Sequence, residues 1–307
     1  VNASALITYY VHSGFSVAIN GVLLLFDYWL GRNGELPQAK RITPDFLRTF
    51  QAVYVFVTHK HMDHLDPIIY QWKNLPNVTY ILGKSLPPPD GAPHRPPQLD
   101  PIDALATILA PGESVQLSDQ VLVTAFDSTD EGVSFLVQVG EHSIFHAGDL
   151  NFWHWREEST LKEIEEAEEA FRTAVTPIAS CPIDIAFFPV DPRQGRLYDA
   201  GANHFVMTVK PKILIPMHFW GRGDVAVSFA RQGSTRDTQV LAMTRMGEEL
   251  HIDFQEKGRM TARFLTPQEK YHLTSEPALP LDDSADSPVR NPWDPFVGTD
   301  EPVQFDN

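Results

Sequence analysis

Thr58 to Asp66 read Thr-His-Lys-His-Met-Asp-His-Leu-Asp, three histidines and two carboxylates in nine residues. On an extended backbone the period of two sends His59 and His61 to one side and Lys60 to the other. A turn after His61 then lets Asp63 and His64 enter the same cavity from the start of a following helix. Two imidazoles would face a carboxylate and a third imidazole, which are donors suited to two adjacent divalent ions. An incidental surface patch of histidines is the plain alternative. The cluster, however, directly follows the apolar run Tyr54–Val57, and polar groups at the end of a buried strand are costly unless paired or liganded.

Two distant segments carry donors of the same kind. Asp149 follows the apolar run ending at Ala147, with Gly148 permitting close backbone approach, and His218 ends Ile213–Met217. Taken singly, Asp149 reads as a turn residue and His218 as an edge histidine; together with the cluster they suggest one metal centre. Metal ions about 3.5–4 Å apart lower the pKa of water and stabilise the oxygen that becomes negative during attack, so the chemistry expected is hydrolysis.

Around this set, Asp63 or Asp149 is expected to orient the nucleophile. His12, in a Val-His-Ser-Gly turn, His154 and Tyr28 are candidates to protonate a leaving group. Asp27 follows five apolar residues and is expected to hold a ligand in place by a hydrogen bond. Phe152, Trp153 and Trp155 are expected to wall the pocket or to cap the next helix. Arg193, Arg196 and Arg222 are candidates for its rim.

The elements needed to position these groups are legible in part. Asn20-Gly21 between Phe15–Ile19 and Val22–Asp27 signals a tight hairpin, because both residues tolerate positive φ. Thr43-Pro44 begins a short helix. Residues 66–73 read as helical, and Val78–Leu82 as a strand. Six prolines between residues 87 and 97 make a stiff loop. Strands follow at Val115–Leu117, Val121–Phe126, Val133–Val139 and Ser143–Ala147.

A helix over about Glu157–Val175 would bury Leu161, Ile164, Phe171 and Val175. Beyond it come a strand at Ile183–Val190, a helix at Ala202–Val209, a strand at Ile213–His218, a helix at Val225–Arg231, and a closing strand pair, Gln239–Met243 with Leu250–Phe254. Strand clusters followed by helices with interspersed strands suggest two packed sheets with helices outside.

The motif His59-x-His61-x-Asp63-His64, with Gly148-Asp149 and His218, resembles the metallo-β-lactamase superfamily. Val11–Val17, the Leu-rich run ending at Asp27, and Ser134–Asp149 resemble its branch of zinc-dependent hydrolases that includes L-ascorbate-6-phosphate lactonase. The resemblance covers about residues 4–255 and implies an α+β fold, a four-layer αββα sandwich. It implies that His59 and His61 hold one ion, that Asp63, His64 and His218 hold a second, and that Asp149 bridges them. The family usually has a further histidine before the strand Val133–Val139, where this chain reads Ala-Phe-Asp-Ser-Thr-Asp-Glu-Gly. Asp130 is expected to replace it, with Asp127, His146 and His154 as alternatives. The cofactor implied is Zn²⁺, one or two ions, with Mn²⁺ or Fe²⁺ also suited to a site containing more carboxylate.

Among the chain's 307 residues, 40 acidic and 24 basic ones leave a net charge of −16. That field opposes phosphate backbones and anionic membranes. The expected substrate is therefore a small ester, lactone or phosphate ester, with neither nucleic acid nor membrane as partner. Two readings compete: a non-catalytic scaffold or interaction protein stabilised by metal, and a ribonuclease-like phosphodiesterase, which the charge disfavours. Cys181 is the only cysteine, which excludes an intramolecular disulfide and any Cys-rich site. No run of 18 apolar residues appears, and a cytoplasmic location is expected. Residues 1–265 are expected to form the hydrolase domain. A Pro/Asp-rich extension over 266–307 is expected to dock on this or a neighbouring subunit and to support a homo-oligomer.

Overall fold

The computed structural model describes residues 3–84, 105–155 and 158–266. The chain opens with β1 (Ser4–Tyr9), β2 (Phe15–Ile19) and β3 (Val22–Phe26), an antiparallel meander. Asn20 and Gly21 form the turn between β2 and β3 with φ of 51° and 77°, the double positive φ of a type I′ hairpin. β4 (Ala52–Val57), β5 (Val78–Gly83) and β6 (Ala106–Leu109) then add in parallel.

A second sheet is built from β7 (Ser114–Ser118), β8 (Val121–Phe126), β9 (Ser134–Val139) and β10 (His142–His146), all antiparallel. It is extended in parallel by β11 (Ile185–Pro189), β12 (Ile213–Met217) and β13 (Gln239–Val240). The chain returns to the first sheet as β14 (Glu249–Phe254) against β1, followed by β15 (Met260–Phe264). The orders are β15-β14-β1-β2-β3-β4-β5-β6 and β13-β12-β11-β10-β9-β8-β7.

Strand alternation divides the apolar residues between layers. Leu24, Phe26, Tyr54 and Phe56 face the core between the sheets, whereas Leu23, Leu25, Val53 and Val55 pack outward. Their outer partners include Leu47 of α1 (Pro44–Arg48) and Ile69 and Trp72 of a 3₁₀ turn at Pro67–Trp72. On β11, Phe187 meets Phe15 and Phe26 across the sandwich. Its neighbour Phe188 meets Phe171 of α2 (Leu161–Ile178) and Phe205 of α3 (Ala200–Thr208) on the opposite side. With α4 (Gly223–Gln232) beside β12, the layers are helix, sheet, sheet, helix, the αββα sandwich expected.

Several local expectations change. Leu161 is 81% exposed, and the buried residues of α2 are Phe171, Ala174, Val175 and Ile178. A capping box of Thr160 and Glu163 starts this helix in solvent, so only its C-terminal half packs. Gln239–Met243 and Leu250–Phe254 do not pair with each other: β13 continues the parallel edge of β12, while β14 buries its alternate residues against β1. Residues 66–73 hold a 3₁₀ turn rather than an α-helix. β6 and β15 were not anticipated. The proline-rich loop and, apart from Thr266, the C-terminal extension lie outside the described residues. No helix among the described residues is long and apolar enough to cross a membrane.

Candidate metal centre

Strand ends from both sheets converge on one spot. β3 runs into Asp27, β4 into Thr58-His59, β10 into Gly148-Asp149, β11 into Asp191 and β12 into His218, and the turn after β1 adds His12. His12, Asp27 and His218 have φ of 59°, 43° and 61°. Left-handed backbone at residues other than glycine costs about 1–3 kcal/mol each and persists where surroundings enforce it, commonly at functional sites.

Asp27, fully buried, organises the centre. Its Oδ1 accepts the Thr58 amide (2.8 Å), and its Oδ2 accepts both the Thr58 hydroxyl (2.7 Å) and His64 Nδ1 (2.7 Å). The Thr58 hydroxyl in turn accepts His59 Nδ1 (3.0 Å). Asp191 does the same for His218, accepting its Nδ1 at 2.9 Å. In all three histidines Nδ1 is therefore the tethered donor, and Nε2 is left with its lone pair pointing inward, the tautomer a metal needs.

Those lone pairs face a carboxylate. Asp149 Oδ1 lies 3.1 Å from His64 Nε2 and 3.2 Å from His218 Nε2, and Oδ2 lies 3.4 Å from His59 Nε2. His59 Nε2, His64 Nε2 and Asp149 Oδ1 are buried without a hydrogen-bond partner. Acceptors opposed at this range in a buried site are costly unless a proton or a metal ion lies between them, and the residues fit a divalent metal. Within this donor set, His12, Asp63, His64 and His218 bring ligand atoms within 4.8 Å of one another, as do His59, His64 and Asp149, and also His61, Asp130 and Asp149.

The electrostatics of the site also favour positive charge. Burial pushes the His64 and His218 imidazoles down, but Asp149 with Asp27, and Asp149 with Asp191, outweigh it. His64 is held well above its ordinary value and His218 is pushed up to about 9. Burial likewise opposes ionisation of Asp149, yet His64 and His218 hold it well below the usual carboxylate range. His12 moves the other way, down to about 3, through burial and the neighbouring His218.

Two glycines let the strand ends close up. A Cβ on Gly132 (φ 79°) would lie 2.1 Å from the Thr58 carbonyl oxygen and 2.6 Å from His59 Cβ. On Gly148 (φ 54°) it would lie 2.8 Å from Thr58 Cβ. Both positions need the left-handed region and the missing side chain.

The structure brings together His59, His61, Asp63, His64, Asp130, Asp149 and His218, with Asp27 behind them. Residues 58–64 form bends and turns rather than a strand leading into a helix. His64 and Leu65 donate their amides to the His61 carbonyl, which closes the loop on the centre. His12 sits inside the donor cluster, with Nε2 3.3 Å from Asp63 Oδ2, rather than on an open wall as a proton donor. His154 turns away from the cluster, its Nε2 3.1 Å from the Leu197 carbonyl oxygen and its ring against Phe152. Tyr28 is spent on the outer layer, where its hydroxyl accepts the Ile42 amide. Among the alternatives to Asp130, His146 uses both nitrogens, on the Ser13 carbonyl and the Gly148 amide. Asp127 accepts its neighbour Ser128's amide in a local turn.

Sequence reasoning missed Asp191 and Glu131. Asp191 carries the signal that exposed Asp27, an acid just after a buried apolar strand. Glu131 lies 3.0 Å from His61 Nε2 and adjoins the acidic turn already singled out. A cavity of about 330 Å³ opens at the centre, lined by Thr129, Asp130, Asp149, Trp153, Trp155 and Arg193.

The family model described as a Beta-lactamase superfamily domain matches residues 24–219, a span that includes every donor named above except His12. The chain belongs to this superfamily. Within it, a UPF0173 metal-dependent hydrolase of Pyrobaculum neutrophilum is 26% identical over 217 residues, 69% of this chain and 83% of the relative. Igni18, a metallo hydrolase of Ignicoccus hospitalis, shares the fold with a TM-score of 0.57 and 17% identity, covering 82% of this chain and all of that one. CmlA, a diiron β-hydroxylase from Streptomyces venezuelae, has a TM-score of 0.54 at 14% identity over 85% of this chain and 54% of its own.

Proposed function

We propose that the chain is a metal-dependent hydrolase acting on a small ester, lactone or phosphate ester, with Zn²⁺ as its metal. The observation that carries this reading is the set of inward imidazole nitrogens around Asp149, which itself lines a cavity of about 330 Å³, a size suited to a small molecule. The curated relatives at 22–26% identity are named metal-dependent hydrolases, which agrees with it. A divalent ion bound here would supply Lewis acidity and a water of lowered pKa.

The protein's own groups do the rest. Asp149 offers one oxygen toward His64 and His218 and the other toward His59, so a single ionised carboxylate spans the centre. Asp27 and Asp191 lock three imidazoles into the donating tautomer. Trp153 and Trp155 exclude water from one wall, and Arg193, bound to Asp191 and set over the Trp155 and Trp220 rings, presents positive charge to a substrate anion. Zinc suits an imidazole-rich set, and the carboxylates leave Mn²⁺ and Fe²⁺ as competitors.

The test is hydrolysis of p-nitrophenyl acetate, dihydrocoumarin and bis-p-nitrophenyl phosphate by chelator-stripped protein reloaded with Zn²⁺, Mn²⁺ or Fe²⁺. Turnover restored by metal and abolished in folded His59→Ala/Asp63→Ala protein is the result expected. Activity that survives that double substitution, or no turnover of any of the three with any metal, overturns the reading.

A further inference from the structure

We propose that His12 is a fourth protein donor to the ion held by Asp63, His64 and His218, so that this half of the centre is closed and substrate meets the other half. The inference rests on the reading of the site as a metal centre and goes beyond it by dividing the labour between the two halves.

Three observations carry it. The His12 side chain is almost fully buried, yet neither ring nitrogen makes a well-aligned hydrogen bond, and the nearest partner is Asp63 Oδ2 at 3.3 Å from Nε2. A buried imidazole left in that state is costly, and a ligand bond removes the cost. Its ring lies 4.0 Å from that of His218 and 4.3 Å from that of Trp220, centroid to centroid. It is covered, and a donor of protons to substrate needs to be reached.

The second observation is that its backbone is pinned for this position. Tyr10 donates to the Gly14 carbonyl, the His12 amide donates to the Tyr9 hydroxyl, and the His218 amide donates to the His12 carbonyl at 3.3 Å. This holds His12 at φ 59° beside His218, so the histidines from opposite sheets are fixed as a pair.

The third is access. No histidine of the centre lines the cavity, but Asp130 and Asp149 do, and the side chain of His61 is 48% exposed, against 2% or less for His12, His64 and His218 and 15% for Asp63. With the shared Asp149 counted, His12 brings its half to five protein donors against four for the other, and a filled set of protein donors marks a structural site whereas an open position marks a catalytic one. The first half, His59, His61 and Asp149 with Asp130, is the half with room for a water or a substrate oxygen.

Zinc titration of the metal-stripped full chain against a chromophoric chelator tests this directly. Wild type is expected to bind one equivalent tightly and a second more weakly. His12→Ala and His12→Gln should weaken the tight class by at least ~10-fold, the lower bound for residues that merely support a ligand, while His61→Ala should weaken only the second. X-ray absorption of wild type at one equivalent of Zn²⁺ should count three imidazoles, which needs no variant to fold. Two imidazoles, or His12 variants of unchanged melting temperature that bind both equivalents within twofold of wild type, would overturn the inference and leave the hydrolase reading standing. Wild type that binds no Zn²⁺ would remove both.

Discussion

The two halves of the centre are made from the same donor types, but solvent reaches them differently. His12, His64 and His218 are buried, and two of them rest on strained backbone. His61 and Asp130 sit on turns at the surface, with Glu131 close by. Burial with a filled set of convergent donors suits an ion that stays, whereas exposed donors on surface turns suit a position that exchanges. The contrast suggests that the interior of the sandwich holds the cation and the rim handles substrate.

Removing the residue common to both halves should erase the contrast. Asp149→Asn is expected to lower kcat/KM by more than ~100-fold, beyond what loss of a supporting residue costs, and to reduce zinc stoichiometry by mass spectrometry. Near-normal kcat/KM in this variant would mean that Asp149 does not span the two halves.

Gly132→Ala aims at the open half through the backbone. Its Cβ would collide with the Thr58 carbonyl and His59 Cβ and impose a strained φ, so a loss of about 1–3 kcal/mol is expected in chemical denaturation, together with weaker binding of the second equivalent. A variant as stable as wild type would show that the turn can relax.

Supporting residues should rank by how many ligands they hold. Asp27→Asn disturbs His64 directly and His59 through Thr58, and is expected to weaken both zinc equivalents by ~10- to 100-fold. Asp191→Asn touches His218 alone among the ligands, so only the tight equivalent should weaken. Equal effects of the two variants in the chelator titration would contradict this ranking.

The smallest change is expected from Glu131→Gln. Its partner His61 is about half exposed, and surface ion pairs contribute roughly 0–1 kcal/mol. Steady-state kinetics should show a change below about fivefold; a larger one would make Glu131, rather than Asp130, the carboxylate that completes the open half.

Much of this was legible from residue order. The hairpin at Asn20-Gly21 was readable because positive φ restricts residue choice, and the His59–His64 cluster because polar donors rarely end a buried strand without a purpose. Asp27 was found by the same logic, and Asp191 could have been, since it too follows an apolar strand. The true pairing of β13 and β14 was not legible, because an apolar alternation names a buried face without naming the strand it meets. Leu161 misled for a related reason: periodicity assigns a helix face, but not where along the helix the sheet ends.

By itself the sequence determined which residue types were on hand for chemistry, the ends of the strands that carry them, and a two-sheet fold able to gather them. Only the tertiary structure decided that His12 lies among the clustered donor side chains, that His154 and Tyr28 turn elsewhere, and that Asp130 and Asp149 line a cavity while His12, His64 and His218 are buried. The physical reason is that donor identity is local, whereas lone-pair direction and solvent access depend on what the opposite sheet places across a gap of a few ångströms.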